Sequence, residues 1–274
     1  MVMGSNLLAE RIDDILSSVL TEAGDELLVV DPAPGTIEQL VRVGTSFEGD
    51  LPHLSLLADE AVLKDVMDDF IVASNAADLV DAGDLTMRTT EERAENALLV
   101  TGEAVMALVT AGERVAALST DEAEFVEAAF DAYREQFEAA EPFKLRTPPL
   151  SRVRETLDDE IGEPTRDDFD TVLASLQTAR GDGDGLDEVT ISLLVAAKNE
   201  VLLYDISKWG EDVGIASKAT FSRTKTKLED LGLIDTEKVP IDVGRPRLRL
   251  KLGDDRLRDT DANQLAGVAQ SLIS

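Results

Sequence analysis

Asp205-Ile206-Ser207-Lys208-Trp209-Gly210-Glu211-Asp212-Val213-Gly214-Ile215, with the stretch that follows as far as Leu252, decides how the rest of the chain is read. Asp205 is a good helix N-cap, and Ile206, Trp209 and Val213 fall at i, i+3 and i+7, an apolar stripe on a short helix. Gly214 permits a sharp turn, and Ile215 plugs that turn into a core. A second helix is predicted from about Ser217 to Leu231, with Phe221, Thr224, Leu228 and Leu231 on one face. Lys218, Ser222 and Lys225 lie on a different face, flanked by Arg223 and Lys227. Gly232-Leu233-Ile234 ends the helix. Val239 and Ile241 then lead through Asp242-Val243-Gly244-Arg245-Pro246 into Arg247-Leu248-Arg249-Leu250-Lys251-Leu252, a hairpin whose return strand alternates Leu with cations.

Helix, turn, basic helix and basic hairpin in this order predict a winged helix-turn-helix, a module that sets one helix in the major groove of double-stranded DNA. Short polar and basic side chains near the start of the second helix suit base edges, which makes Ser217, Lys218, Thr220, Ser222 and Arg223 the candidates for readout. Lys225 and Lys227 would hold phosphates, and Arg245, Arg247 and Arg249 would serve the wing. Gly244-Arg245-Pro246 presents one guanidinium compactly, as a narrow, electronegative minor groove requires. Any one of these cations alone reads as a solvated surface charge; their arrangement makes that the poorer account.

The net charge of -30 on 274 residues opposes DNA binding until it is divided along the chain. Residues 198–258 hold 13 basic and 11 acidic side chains, against 13 and 45 in the remainder. The acids elsewhere are dispersed rather than blocked, and Arg outnumbers Lys 17 to 9, like the solvated surface of proteins from salt-loving cells. At molar salt, counterion release contributes little to DNA affinity, so groove contacts and dimer avidity would have to supply it.

A 43% apolar, 30% charged composition excludes a disordered chain, and the length suits two domains. The absence of cysteine excludes disulfides, thiolate zinc sites and cysteine nucleophiles. Neither a secretory signal nor an apolar run of the roughly 18 residues needed for a membrane span is visible, so a cytoplasmic protein without a cofactor is expected.

Residues 1–141 read as an α/β sensor or dimerisation domain with a mixed sheet. Its expected elements are a helix from about Ser5 to Ala23, strands at Glu26 to Asp31 and Leu54 to Leu57, and a helix at Thr36 to Val43. One long helix from Glu60 to Leu79 and a strand at Leu85 to Arg88 follow. A meander through Ala97 to Leu118 turns at Thr101-Gly102-Glu103 and Ala111-Gly112-Glu113, and Asp121 caps a helix to about Glu138. Pro142 to Leu150 breaks the pattern, and 142–186 is expected as a linker with helices at Ser151 to Ile161 and Arg166 to Ala179. The winged module occupies 187–252, beginning with a helix at Asp187 to Asn199, with Val201-Leu202-Leu203 a short strand beside the wing. A last amphipathic helix lies within 253–274, suited to pairing subunits or to packing on its own core.

Thr220-Phe221-Ser222-Arg223 followed by Leu228-Glu229-Asp230-Leu231-Gly232-Leu233-Ile234 resembles the recognition-helix pattern of many bacterial and archaeal winged-helix regulators. The stretch from Leu202-Leu203-Tyr204-Asp205 through Gly244-Arg245-Pro246-Arg247-Leu248-Arg249-Leu250, and the whole chain in order and length, is similar to the haloarchaeal TbsP-type transcriptional regulators. That resemblance implies a sequence-specific transcription factor. The 97–118 meander and the helix after it resemble, more faintly, the effector domain of TrmB-type sugar-responsive regulators, a phospholipase-D-like fold. Such an active site needs a His with Lys two residues on; the only histidine is His53, followed at that spacing by Ser55. An effector-binding or dimerising role survives, with a sugar or metabolite as the small-molecule effector and a homodimer as the assembly.

His53 lacks a second His or Cys for a metal site and reads as a capping or exposed strand-start residue. Gly181-Asp182-Gly183-Asp184-Gly185 lacks the span and closing Glu of a calcium loop. Asp31-Pro32-Ala33-Pro34-Gly35-Thr36, between a strand and a helix, stands where α/β folds bind ligands but carries no phosphate-loop Gly-Lys. Asp65, Asp68 and Asp69 read as a solvated acidic face. The alternatives are a winged-helix adaptor that binds a protein partner, and an enzyme for which no residue pattern speaks.

Overall fold

The computed structural model describes residues 7–9, 11–91, 94–111, 114–180, 185–240 and 246–273. It divides into two compact units, Met1–Asp68 with Asn75–Leu145, and Asp69–Ser74 with Arg146–Ser274.

The first unit runs β1 (Leu7–Ala9), α1 (Ile12–Glu22), β2 (Glu26–Val30), α2 (Pro34–Thr45), β3 (His53–Ala58), α3 (Glu60–Val66), α4 (Phe70–Ala82), whose first residues belong to the second unit, and β4 (Leu85–Thr89). It continues with β5 (Leu98–Val100), β6 (Val105–Ala111), β7 (Arg114–Thr120), α5 (Ala123–Ala139) and β8 (Glu141–Pro142). These strands form one mixed sheet in the order β1-β7-β6-β5-β2-β3-β4-β8. The β2, β3 and β4 strands are parallel, because helices carry the chain back between them, and β5 to β7 form the expected antiparallel meander. Leu27 to Val30 are all buried, which explains why β2 reads as an unbroken apolar run rather than an alternating one. On one face, Val126 and Phe137 of α5 pack against Leu28, Val30, Leu57, Val100 and Val105.

Several expectations are corrected here. The predicted first helix is shorter: Leu7–Ala9 instead pairs antiparallel with β7, and the helix starts at Ile12. A run of apolar residues fits either template, and an open sheet edge decides it. The expected long helix is two, α3 and α4, because the Asp69 carboxylate accepts from the N–H groups of Ile71 and Val72 and starts a new helix. Asp69 is therefore buried rather than part of a solvated face, and it also accepts from the Thr178 hydroxyl and the Ala179 N–H. Glu122, not Asp121, caps α5. The expected turn at 112–113 and the glycine-rich loop at 181–184 lie outside the described residues.

The second unit runs α6 (Leu150–Glu160), α7 (Glu163–Ser175), α8 (Glu188–Lys198), α9 (Leu203–Val213), α10 (Lys218–Asp230), β9 (Ile234–Val239), β10 (Arg247–Leu252), α11 (Asp255–Arg258) and α12 (Ala262–Ile273). One core joins all of it. Val153, Leu157, Phe169 and Val172 from the segment expected as a linker are buried with Trp209, Phe221 and Leu250. The indole Nε1 of Trp209 donates to Thr156 Oγ1 at 3.0 Å, which fixes α6 against α9. Leu257, Leu265, Ala266 and Ala269 of the last two helices are buried in the same core.

Candidate nucleic-acid interface

Within this unit α8, α9 and α10 carry a small sheet. β9 and β10 pair antiparallel, and Leu202 bridges to Arg249 on the other side of β10, with the Leu250 N–H donating to Val201 O. Because that bridge ends at Leu202, helix α9 begins at once, with Leu202 as its N-cap. Asp205 is therefore in the first turn rather than at the cap, where its charge still suits the helix dipole.

The turn between α9 and α10 forms as its residues dictate. Gly214 takes φ 97, a left-handed conformation suited to glycine, and the Ile215 N–H donates back to Gly210 O at 2.8 Å. Ser217 caps α10 by accepting from the Thr220 N–H. Gly210 is a point of close helix approach: a Cβ there would stand 2.4 Å from the Phe221 ring. Phe221 and Leu228 are buried, while Leu231 is 41% exposed.

The outward face of α10 follows from that inner one. Ala219, Ser222, Arg223, Thr226, Lys227 and Asp230 are exposed at spacings of three and four, one stripe along the helix. Arg223 reaches towards the helix start, its Nη2 donating to Thr220 Oγ1 at 3.3 Å, and Thr220 Oγ1 lies 3.0 Å from Ser217 Oγ. Arg223 and Lys227 form no ion pair among the described residues.

Four of the remaining predicted cations, Lys218, Lys225, Arg247 and Arg249, are engaged. Lys218 meets Glu211 of α9 at 2.6 Å. That bond holds Lys218 above its ordinary pKa and Glu211 below its own. Lys225 is largely covered, 12% exposed, and pairs at 2.6 Å with Glu229, which also accepts from the Thr236 hydroxyl. It thus flanks the outward stripe. Arg247 lies over the Tyr204 ring, 4.5 Å from its centroid, and 3.3 Å from Asp205. Arg249 is 4.0 Å from Glu200. Arg245 lies outside the described residues, as do residues 241–244 before it. Sequence reasoning passed over Ala219 and Thr226, which counting by exposure from Ser222 and Arg223, rather than by charge, would have found.

In the first unit the strand-to-helix connection at 31–36 borders a cleft of about 430 Å³ lined by Arg11, Gly35, Thr36, Gln39, Leu108 and Thr110. Among the described residues no side chain caps α2 there, and Gln39 Oε1 is buried with no hydrogen-bond partner. His53 is held by Gly83 O and Thr86 Oγ1, both at 3.0 Å, so its ring serves the sheet. Ser55 donates to the Glu26 carboxylate at 2.7 Å.

Residues 149–270 match a family described as "Transcriptional regulator TbsP-like, C-terminal HTH domain", and residues 4–148 one described as "Transcriptional regulator TbsP-like, N-terminal". The chain belongs to the TbsP-like transcriptional regulators. No curated protein matches it. Among solved structures, it is similar to that of TrmBL2, described as an archaeal chromatin protein with a novel mode of DNA binding. The identity is 15% and the TM-score 0.36, over 50% of this chain and 54% of that one, so the TbsP-like chain spans about half the length of that solved relative. Its two units give the expected fold class, an α/β domain with a mixed sheet followed by a winged helix-turn-helix. Among the described residues, no helix of the TbsP-like chain is long and apolar enough to cross a membrane.

Proposed function

We propose that this TbsP-like regulator binds operator DNA as a homodimer in the cytoplasm, with α10 in the major groove and the β9–β10 hairpin beside it. The observation that carries this reading is the exposed stripe of α10, in which two cations without an ion pair among the described residues, Arg223 and Lys227, stand among short side chains on a helix whose other face is core. Ser217, Thr220 and Ser222 add polar groups near its N-terminal end, and Arg245, Arg247 and Arg249 serve the wing. Two-fold symmetry then requires half-sites about one helical turn apart. The dispersed acid of the remainder supports a salt-rich setting. The uncapped α2 terminus and the orphaned Gln39 oxygen beside the 430 Å³ cleft support a small polar effector, a sugar or other metabolite, in the first unit. No enzymatic role is proposed.

Selection of duplexes from a random pool in molar potassium chloride tests the reading. It expects a two-fold symmetric site bound by the wild type and lost on Arg223→Ala; failure to enrich any sequence would favour a protein-binding adaptor instead.

A further inference from the structure

The face proposed to meet DNA is neutralised before DNA arrives. Five of its cations each hold a carboxylate of the same unit: Lys218 with Glu211 at 2.6 Å, Lys225 with Glu229 at 2.6 Å, Arg247 with Asp205 at 3.3 Å, Arg249 with Glu200 at 4.0 Å, and Lys251 with Glu237 at 2.6 Å. The acids come from α9, α10, β9 and the turn after α8, so no single local pattern produces them. Glu237 stands directly opposite Arg249 in the strand register and reaches diagonally to Lys251, whose own register partner is Asp235. Glu200 takes φ 54, a left-handed conformation that favours Gly or Asn, and its carboxylate is the one beside Arg249. Hydrogen bonding to these acids holds Lys218 and Lys251 above the ordinary lysine pKa, so neither cation is lost at neutral pH.

We propose that Glu200, Glu211 and Glu237 are specificity-determining residues: they act as built-in counterions that suppress sequence-blind binding to phosphate. The inference rests on the DNA-binding reading above. A free lysine that takes a phosphate releases a condensed cation from the duplex, and this release drives non-specific binding with a slope of about 0.9 per phosphate. A paired lysine leaves its carboxylate behind, still negative and now beside the DNA backbone. That acid repels phosphate and draws a cation back, so the entropy of release is largely cancelled. Arg223 and Lys227, which form no ion pair among the described residues, keep their full effect. A duplex that offers only phosphates gains little, whereas one whose bases also fit the α10 stripe is bound.

The test uses the full chain carrying Glu200→Asn, Glu211→Gln and Glu237→Gln together, with binding to a random-sequence duplex followed by fluorescence anisotropy against potassium chloride. Asn tolerates the left-handed backbone at 200, and all three acids are exposed, so folding is retained and is checked by an unchanged melting curve. Freeing three cations steepens the log–log salt slope by about 2.7, roughly a sixfold larger loss of affinity per doubling of salt. Affinity for random DNA at the low-salt end rises accordingly, and the ratio of specific to random binding falls. A control with Glu124→Gln, Glu127→Gln and Glu135→Gln on α5 makes the same change in net charge and leaves the slope as in the wild type. An unchanged slope in the first variant, or equal steepening in the control, overturns the inference while leaving DNA binding intact. A wild type with no affinity for any duplex overturns the DNA-binding reading and this inference with it.

Discussion

Replacing Gly210 with Ala tests the contact on which the geometry of α10 depends. A Cβ at this position would stand 2.4 Å from both Cε2 and Cζ of Phe221, and carbon atoms prefer about 3.5–4.0 Å. The ring or the helix must therefore move by more than about 1 Å. Phe221 is fully buried, so the ring has no open space to enter. Overpacking of this kind costs about 1–3 kcal/mol, and the hard overlap places it in the upper part of that range. Ala in place of a helical Gly returns about 1 kcal/mol, so a net loss of about 1–2 kcal/mol is expected. Trp209, the sole tryptophan, is buried on the same helix, so its fluorescence during urea unfolding reports on this unit directly. Phe221→Leu in the Gly210→Ala background removes the overlap, so the double variant should lose less than the sum of the two singles. A Gly210→Ala protein as stable as the wild type, or strictly additive costs, would refute the reasoning.

Arg223→Ala should cost about 1–3 kcal/mol of operator binding and relax preference at one position, while Lys227→Ala should weaken all sequences alike and lower the salt slope by about 1; anisotropy on matched and scrambled duplexes separates the two. Gly253→Ala should be harder to tolerate than Gly210→Ala, because its Cβ would meet the Gly232 carbonyl oxygen at 2.4 Å and backbone cannot rotate aside; soluble yield and urea midpoint measure it. Asp254, which caps α11, is held down to about 2 by its hydrogen bonds from Arg256. A depressed carboxyl stabilises the fold above its ordinary range and ceases to do so as pH falls through about 2, so carbon-detected NMR should place its midpoint there and Arg256→Ala should raise it.

Much of the DNA-binding unit is legible in the sequence because each local signal agrees with the next. Ser217 before the basic helix, Gly214 in the turn and the alternation of β10 fix cap, turn and register separately. The β2 run and the β5–β7 meander are legible for the same reason. What is not legible depends on partners distant in the chain. Leu7–Ala9 is a strand only because β7 offers it an edge. The break between α3 and α4 rests on Asp69, whose burial is set by Thr178 and Ala179 more than a hundred residues later. Among the cations, Lys225 with Glu229 is readable as an i, i+4 pair, but Glu200 against Arg249 is not. Charge alone therefore does not tell which side chains of these elements are held by acids.

The chain has no cysteine, so a single introduced thiol is unique. An iron chelate attached at Ser222→Cys, on the exposed stripe of α10, should cut the selected operator within the major groove of each half-site, while the same chelate at Gln264→Cys on α12 should not. Absence of cleavage from position 222, under conditions where the labelled protein still binds the operator, would contradict the placement of α10 against DNA.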